Sequence, residues 1–152
     1  MQHISKQTGT YILILKANSA HSCCVGKMGL VSITKGFYLY VGSAFGRGGV
    51  QARVSHHQKI SLHPHWHIDY LRQQLSLLSI WCSHDAKRRE HQWASLLNQS
   101  QGMTLPFPRF GASDCTCPAH LFFSPTLPSF TVFQSFLMVQ YPEHAPILQY
   151  VL

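Results

Sequence analysis

Oxygen donors able to hold a hard metal ion are scarce in this chain. Its 152 residues hold five carboxylates: Asp69, Asp85, Glu90, Asp114 and Glu143. Glu90 stands out because it sits in the basic run Lys87-Arg88-Arg89-Glu90-His91. A carboxylate among cations on a predicted helix can bind a metal while Lys87 and Arg88 hold an anionic backbone. The plainer alternative is a surface Glu paired with an Arg, worth roughly 0.3 kcal/mol. A second concentration runs from Tyr40-Val41-Gly42 through the glycine-rich stretch to Gly49, then Val50-Gln51-Ala52-Arg53-Val54-Ser55-His56-His57. A strand ends there, a loop comes next and a helix begins. Arg53 and His57 are four residues apart and share a helix face. Arg53 can bind two phosphate oxygens with one planar fork, which Lys cannot. Backbone N–H groups where this glycine loop runs into the helix can meet a phosphate, with Gly42, Ser43 and Arg47 as further candidates in the loop. The alternative is a flexible loop with a solvated Arg. A third set is His63, His65, His67, Cys115, Cys117 and His120, whose soft donors suit zinc. One residue separates Cys115 from Cys117, tighter than the usual zinc spacing, and hydrogen bonding between the 111–120 loop and the helix after His67 accounts for the set without a metal. His65 and His67 are also candidates for substrate contact, and Trp66 for either core packing or base stacking.

Short elements must position these groups. Tyr11 to Leu15, Leu30 to Ile33 and Phe37 to Val41 read as strands, with loop or hairpin over 18–29 and a turn at Thr34-Lys35-Gly36. Val50 to Gln58 reads as a helix with Val50 and Val54 inward. Ile68 to Leu78 reads as another helix, Ile80-Trp81-Cys82 as a strand, and Ala86 to Asn98 as a helix capped by Ser83 or Asp85. Gly102 to Pro118 is loop, and Leu121-Phe122-Phe123 a short strand. This order predicts a mixed α/β (α+β) domain, a mostly antiparallel sheet flanked by about three helices, over residues 1–123. Residues 124–152 change character. They are apolar and proline-punctuated with one charged residue, Glu143. Phe130 to Tyr141 is expected as a strand that covers the domain or pairs with a second copy in a homodimer.

Twelve Lys and Arg against five Asp and Glu give a formal charge of +7, which points to a polyanionic partner, most commonly nucleic acid. Hydrophobic residues make up 45%, which excludes a disordered chain. The start, Met1-Gln-His-Ile-Ser-Lys, lacks the apolar run of a secretory signal, and no run of about 18 apolar residues could span a bilayer. Five cysteines, two pairs of them close neighbours, read as reduced thiols in the cytoplasm.

These residues resemble a known family. Gly9-Thr10-Tyr11 and Tyr40-Val41-Gly42 are similar to the two halves of the GIY-YIG nuclease signature. That family carries a catalytic Arg on the helix after its second half, often with His or Tyr one turn later, and a single metal-binding Glu on a later helix. Arg53, His57 and Glu90 stand at those places. The match covers roughly residues 8 to 123. An uncharacterised prokaryotic branch, sometimes joined to endonuclease III-type repair glycosylases, is similar also in His65-Trp66-His67-Ile68-Asp69-Tyr70-Leu71 and Gly111-Ala112-Ser113-Asp114-Cys115-Thr116-Cys117-Pro118-Ala119-His120-Leu121. Three departures stand out. Thr10 and Val41 replace the middle isoleucines, both keeping the β-branch. A long spacer between Tyr11 and Tyr40 implies an extra hairpin. The family's late Asn has no counterpart, so Ser113 or Asp114 takes its place. The resemblance implies an endonuclease cutting DNA phosphodiesters with one Mg²⁺ or Mn²⁺ on Glu90, in repair or on single-stranded or branched DNA. Tyr11, Tyr40, Arg53, His57 and Glu90 would be catalytic, and Gly42, Ser43, Arg47, Lys87, Arg88, His65, His67, Ser113 and Asp114 substrate-binding. Zinc on Cys115, Cys117 and His120 is the lesser alternative. A non-catalytic nucleic-acid-binding module of the same fold and a zinc-stabilised interaction domain remain the competing functions.

Overall fold

The strand from Gly9 to Ala17 (β1) is apolar at nearly every position because it is buried on both faces. Tyr11, Leu13, Leu15 and Ala17 enter one core, while Ile12 and Ile14 enter the other. In the computed structural model, which describes residues 3–64, 66–107, 110 and 120–152, β1 is the centre of a five-stranded antiparallel sheet. The other elements are His21–Cys24 (β2), Leu30–Ile33 (β3), Gly36–Ala44 (β4), Gly49–Gln58 (α1), His67–Arg72 (α2), Ser76–Ser83 (β5), Glu90–Gln99 (α3), Leu121–Ser124 (β6), Phe130–Gln140 (α4) and Ile147–Val151 (β7). The sheet order is β6-β4-β1-β5-β7. The long spacer forms the expected extra hairpin, a separate two-stranded sheet of β2 and β3.

Two layers of helix cover this sheet. Val50 and Val54 of α1 and Ile68 and Leu71 of α2 pack with Tyr11, Leu13, Ile80 and Cys82. On the other face Trp93, Ala94 and Leu97 of α3 and Phe133 and Leu137 of α4 pack with Ile12, Val41 and Trp81. The sheet between two helical layers is the α+β architecture that the sequence order implied.

Three expectations are corrected. The helix expected over Ile68 to Leu78 ends at Arg72, and Ser76 already belongs to β5. The leucines at 71, 75 and 78 fit a helical face, but Leu77 sits opposite Leu15, so pairing with β1 overrides local pattern. Phe130 to Tyr141 is not a strand. Ser129 caps a helix there, its hydroxyl accepting the Val132 N–H at 3.2 Å, and Phe130, Phe133 and Leu137 form the stripe that meets Trp81 and Trp93. The strand in this segment is β7, which adds to the β5 side of the same sheet. Finally, Ser83 and Asp85 do not cap α3, which starts at Glu90. They form successive turns, Ser83 Oγ accepting the Asp85 N–H at 3.1 Å and Asp85 Oδ1 the Lys87 N–H at 2.9 Å.

Asp85 then serves a different purpose. Its other oxygen accepts from the buried Arg89 guanidinium at 3.1 Å and from the Ala145 N–H at 2.9 Å. Arg89 also donates to Glu143 at 3.2 Å. Trp93 Nε1 donates to His144 Nε2 at 2.9 Å. The connection between α4 and β7 is thereby tied to the start of α3. These bonds hold the Asp85 carboxyl down to about 2 despite some desolvation.

Candidate functional site

The register of β1 and β4 creates the site. Tyr11 lies opposite Gly42, and Leu13 opposite Tyr40. Tyr11 and Tyr40 are therefore diagonal neighbours on one face. The Tyr11 ring crosses the bare Cα of Gly42, where a Cβ would stand 2.2 Å from Cζ and 2.3 Å from Oη. Gly42 thus serves as the floor under a tyrosine, which explains the glycine physically.

Helix α1 is seated on the same face. Gly49 has φ of +57°, and a Cβ there would stand 2.2 Å from the Lys6 carbonyl, so only glycine lets the N-terminal segment approach. That approach uses the helix's first amides. Val50 N–H donates to the Gln7 carbonyl at 3.0 Å and Gln51 N–H to the Ser5 carbonyl at 3.1 Å. The expectation that amides at this loop-helix junction cradle a phosphate is thus corrected for these two groups, which the chain satisfies itself.

Seen from α1, His57 reaches back to the sheet. Its Nε2 lies 2.8 Å from the Tyr11 hydroxyl, and its ring meets the edge of Tyr40 with centroids 6.1 Å apart. His57 Nδ1 is buried without a hydrogen-bond partner among the described residues. Arg53, one turn earlier, lies with its guanidinium 4.5 Å from the centre of the Trp66 ring. Trp66 also touches His56, whose Nε2 is 2.8 Å from the buried Asp69 carboxylate. Asp69 is the third residue of α2 and accepts the Trp66 N–H at 3.0 Å. Arg72 donates to the His57 carbonyl at 2.7 Å and to the Leu75 carbonyl at 2.6 Å, fastening α1 to α2.

Glu90 arrives from the opposite layer. It is the first residue of α3, half-buried, and its charge is felt by both Tyr11 and Tyr40. Thr10 helps place it: the buried Thr10 hydroxyl accepts the Arg89 N–H at 3.3 Å, satisfying a backbone donor at the helix start. An isoleucine could not do this. Beside Glu90 stand His91 and His120; one donor atom from each of the three lies within 4.8 Å of the others.

The electrostatics are set by burial and neighbours. Burial, then Tyr40, push the Tyr11 hydroxyl well above its ordinary range, with Arg53 opposing. Tyr40 is raised by burial and by Glu90, with Arg53 again opposing. Burial and the adjacent His56 lower His57 to about 4, so its imidazole is neutral at neutral pH.

Tyr11, Tyr40, Arg53, His57 and Glu90 therefore share one end of the sheet. Gly42 lies beneath it. Ser43 is half-buried with its hydroxyl unpaired among the described residues. Arg47 and Lys87 are exposed, and Arg88 lies over Phe45, its guanidinium carbon 4.6 Å from the ring centre. His67 packs on Phe110 at 5.7 Å, and Phe110 in turn meets Tyr40. His65, Ser113, Asp114, Cys115 and Cys117 lie outside the described residues. Of the histidines grouped with them for zinc, His120 stands with Glu90 and His91 instead, and His63 is exposed. Sequence reasoning passed over His56, Arg72 and His91, and counted Asp69 only as a carboxylate. The signal for Asp69 was its place three residues after Trp66, where a carboxylate closes back on a helix start.

The fold and site define an antiparallel α+β domain with a Tyr–His pair, an arginine and a helix-borne glutamate gathered at one end of its sheet. The chain matches the family described as a domain of unknown function, DUF123, over residues 10–138, and it belongs to that family. No curated protein and no solved structure matches it.

Proposed function

We propose that this chain is a divalent-metal-dependent endonuclease of the GIY-YIG type that hydrolyses phosphodiester bonds in DNA. The observation that carries the reading is the Tyr11–His57 bond of 2.8 Å, set beside Tyr40, Arg53 and Glu90. The sequence resemblance names the same five residues, and distant parts of the chain supply them. The chain's +7 charge suits an anionic substrate.

Glu90, a hard oxygen donor, would hold the one Mg²⁺ or Mn²⁺ ion that the resemblance implies. Glu90 offers a partly exposed carboxylate at the site's edge. When bound, such an ion neutralises charge on the phosphate and stabilises the leaving oxygen. The chain's own groups do the rest. Arg53 donates two parallel N–H bonds to non-bridging oxygens as charge gathers on the phosphate. Trp66 beneath it restricts its rotamers. Tyr11 stays protonated because burial raises it, so it aims water through its hydroxyl oxygen. As water gives up a proton, the Tyr11 oxygen accepts it and passes its own to His57 Nε2. A neutral imidazole can take that proton, and the low His57 value keeps it neutral.

The test is cleavage of labelled single-stranded, duplex and branched DNA with Mg²⁺ or Mn²⁺, beside Glu90→Ala. Metal-dependent cutting that disappears in the variant supports the proposal. Binding without cutting on all three substrates, unchanged by the substitution, would replace it with a nucleic-acid-binding module.

A further inference from the structure

We infer that His91 and His120 complete the metal site at Glu90, giving a two-imidazole, one-carboxylate set that prefers a borderline ion such as Co²⁺ or Zn²⁺ to Mg²⁺. This rests on the reading that Glu90 holds the ion and goes beyond it in naming the ligands and the ion class. The geometry points to it first. His91 Nε2 lies 3.5 Å from Glu90 Oε1, and a donor atom of His120 is within 4.8 Å of both. Ligands bound to one ion by bonds of about 2.1 Å stand roughly 3–4 Å apart, so small side-chain shifts bring the three onto a common centre.

Backbone structure holds the third donor where it is needed. His120 is 4% exposed. Its N–H donates to the Phe110 carbonyl at 2.6 Å, and its carbonyl accepts the Val41 N–H at 2.9 Å. The residue is therefore locked against β4, next to Tyr40, just before β6 begins. His91 comes with Glu90 on the first turn of α3, and the rings of His91 and His120 are 6.0 Å apart between centroids. One donor fixed by the sheet and two carried on a helix start thus converge on one place.

The donor set then decides the ion. Mg²⁺ demands oxygen ligands in near-octahedral array and keeps its water, so two imidazoles add little for it. Imidazole nitrogen binds Zn²⁺, Co²⁺ and Ni²⁺ well. Three protein ligands also leave positions for water and a phosphate oxygen, as hydrolysis requires. Glu90 alone is a weak cation site, since the positive end of α3 opposes a cation there. The imidazoles supply what the single carboxylate lacks.

The test titrates the tag-free chain with Co²⁺, read by visible absorption and by calorimetry, and with Mg²⁺ by calorimetry. Wild type is compared with His91→Ala, His120→Gln and Glu90→Gln. His91 is exposed, so its variant folds even where replacement of the buried His120 does not. Losing even a group that merely orients a ligand costs about 10–100-fold in affinity, so each histidine variant should lose at least about tenfold for Co²⁺. Mg²⁺ affinity should not change in His91→Ala. Co²⁺ affinity and spectrum identical to wild type in His91→Ala would overturn the inference. Glu90-dependent DNA cleavage beside that result would leave the nuclease reading standing alone. Histidine-dependent Co²⁺ binding without cleavage under any metal would do the reverse.

Discussion

Gly42→Ala is the most informative single substitution, because the structure fixes both the side chain it strikes and the bond that is lost as a result. The added Cβ stands 2.2 Å from Tyr11 Cζ and 2.3 Å from Oη. Carbon contacts settle at about 3.5–4.0 Å, so the tip of the ring must retreat by roughly 1.3 Å. Tyr11 is 2% exposed, so it has no free space to retreat into. Overpacking of this kind costs about 1–3 kcal/mol. The hydroxyl leaves His57, now 2.8 Å away, and passes the limit of about 3.5 Å beyond which no useful bond remains. A displacement of about 1 Å in a reacting group costs on the order of 10²-fold in rate. Thermal unfolding and single-turnover cleavage should therefore both fall. Tyr11→Phe separates the two effects: it keeps the ring atom that clashes and removes the hydroxyl proposed to react. In that background Gly42→Ala should still cost stability but add little further loss of rate. Gly46→Ala is the control, since a Cβ there meets nothing within 4 Å and should change stability by less than about 0.5 kcal/mol. Wild-type stability and rate in Gly42→Ala, or rate losses that add fully in the double variant, would refute the placing of Tyr11 over Gly42 as part of the working site.

Three further outcomes are expected. Arg53→Lys should retain the fold but lose about 10²-fold in cleavage rate, since a point charge cannot form the paired bonds to phosphate; equal rates at matched melting temperature would remove Arg53 from the chemistry. Arg89→Ala should cost about 3 kcal/mol in urea unfolding, because the largely buried Asp85 carboxylate loses its ionic partner. His57 sets a pH dependence. Its folded value of about 4 lies below the ordinary 6.5, so the unfolded chain takes up a proton first as pH falls. That contribution is intact above pH 6.5 and is lost down through pH 4, amounting to about 3 kcal/mol at roughly 1.4 kcal/mol per unit. His57→Gln should flatten this part of the stability curve, and the acid limb of wild-type cleavage should fall near pH 4 rather than 6.5.

The elements that sequence patterns located well were those whose apolar period matches their surroundings. β1 carries an unbroken apolar run from Tyr11 to Leu15 because both faces are covered, and α1 shows Val50 and Val54 one turn apart because one face is buried. The pattern failed where an apolar run admits both readings. Residues 130–141 are mostly apolar, which alone does not separate strand from helix, yet Phe130, Phe133 and Leu137 are spaced for a helix. The apolar composition was read as a strand, and the deciding residue, Ser129, was a cap rather than part of the run. At Leu71 to Leu78 the error ran the other way, because β5 owes its extended form to β1 and not to its own composition.

The site was legible to a different degree on each side of the sheet. Tyr11, Tyr40, Arg53 and His57 could be named because a motif and a four-residue helical spacing place them. Their support could not. The His56–Asp69 pair, the Arg72 bonds to the end of α1 and the Trp66 surface under Arg53 join segments through contacts that carry no spacing signal. Thr10 shows why this matters. As sequence it reads as a tolerated change at a β-branched position. In the fold its hydroxyl holds the Arg89 N–H, so a residue of the first strand sets where α3 begins and hence where Glu90 points. Thr10→Val keeps the shape and removes that acceptor. It should leave β1 intact while cutting cleavage more than it cuts stability, with melting and kinetics measured on the same preparation. Equal losses in both would make Thr10 a core residue only, and Glu90 would owe its position to the packing of Trp93 alone.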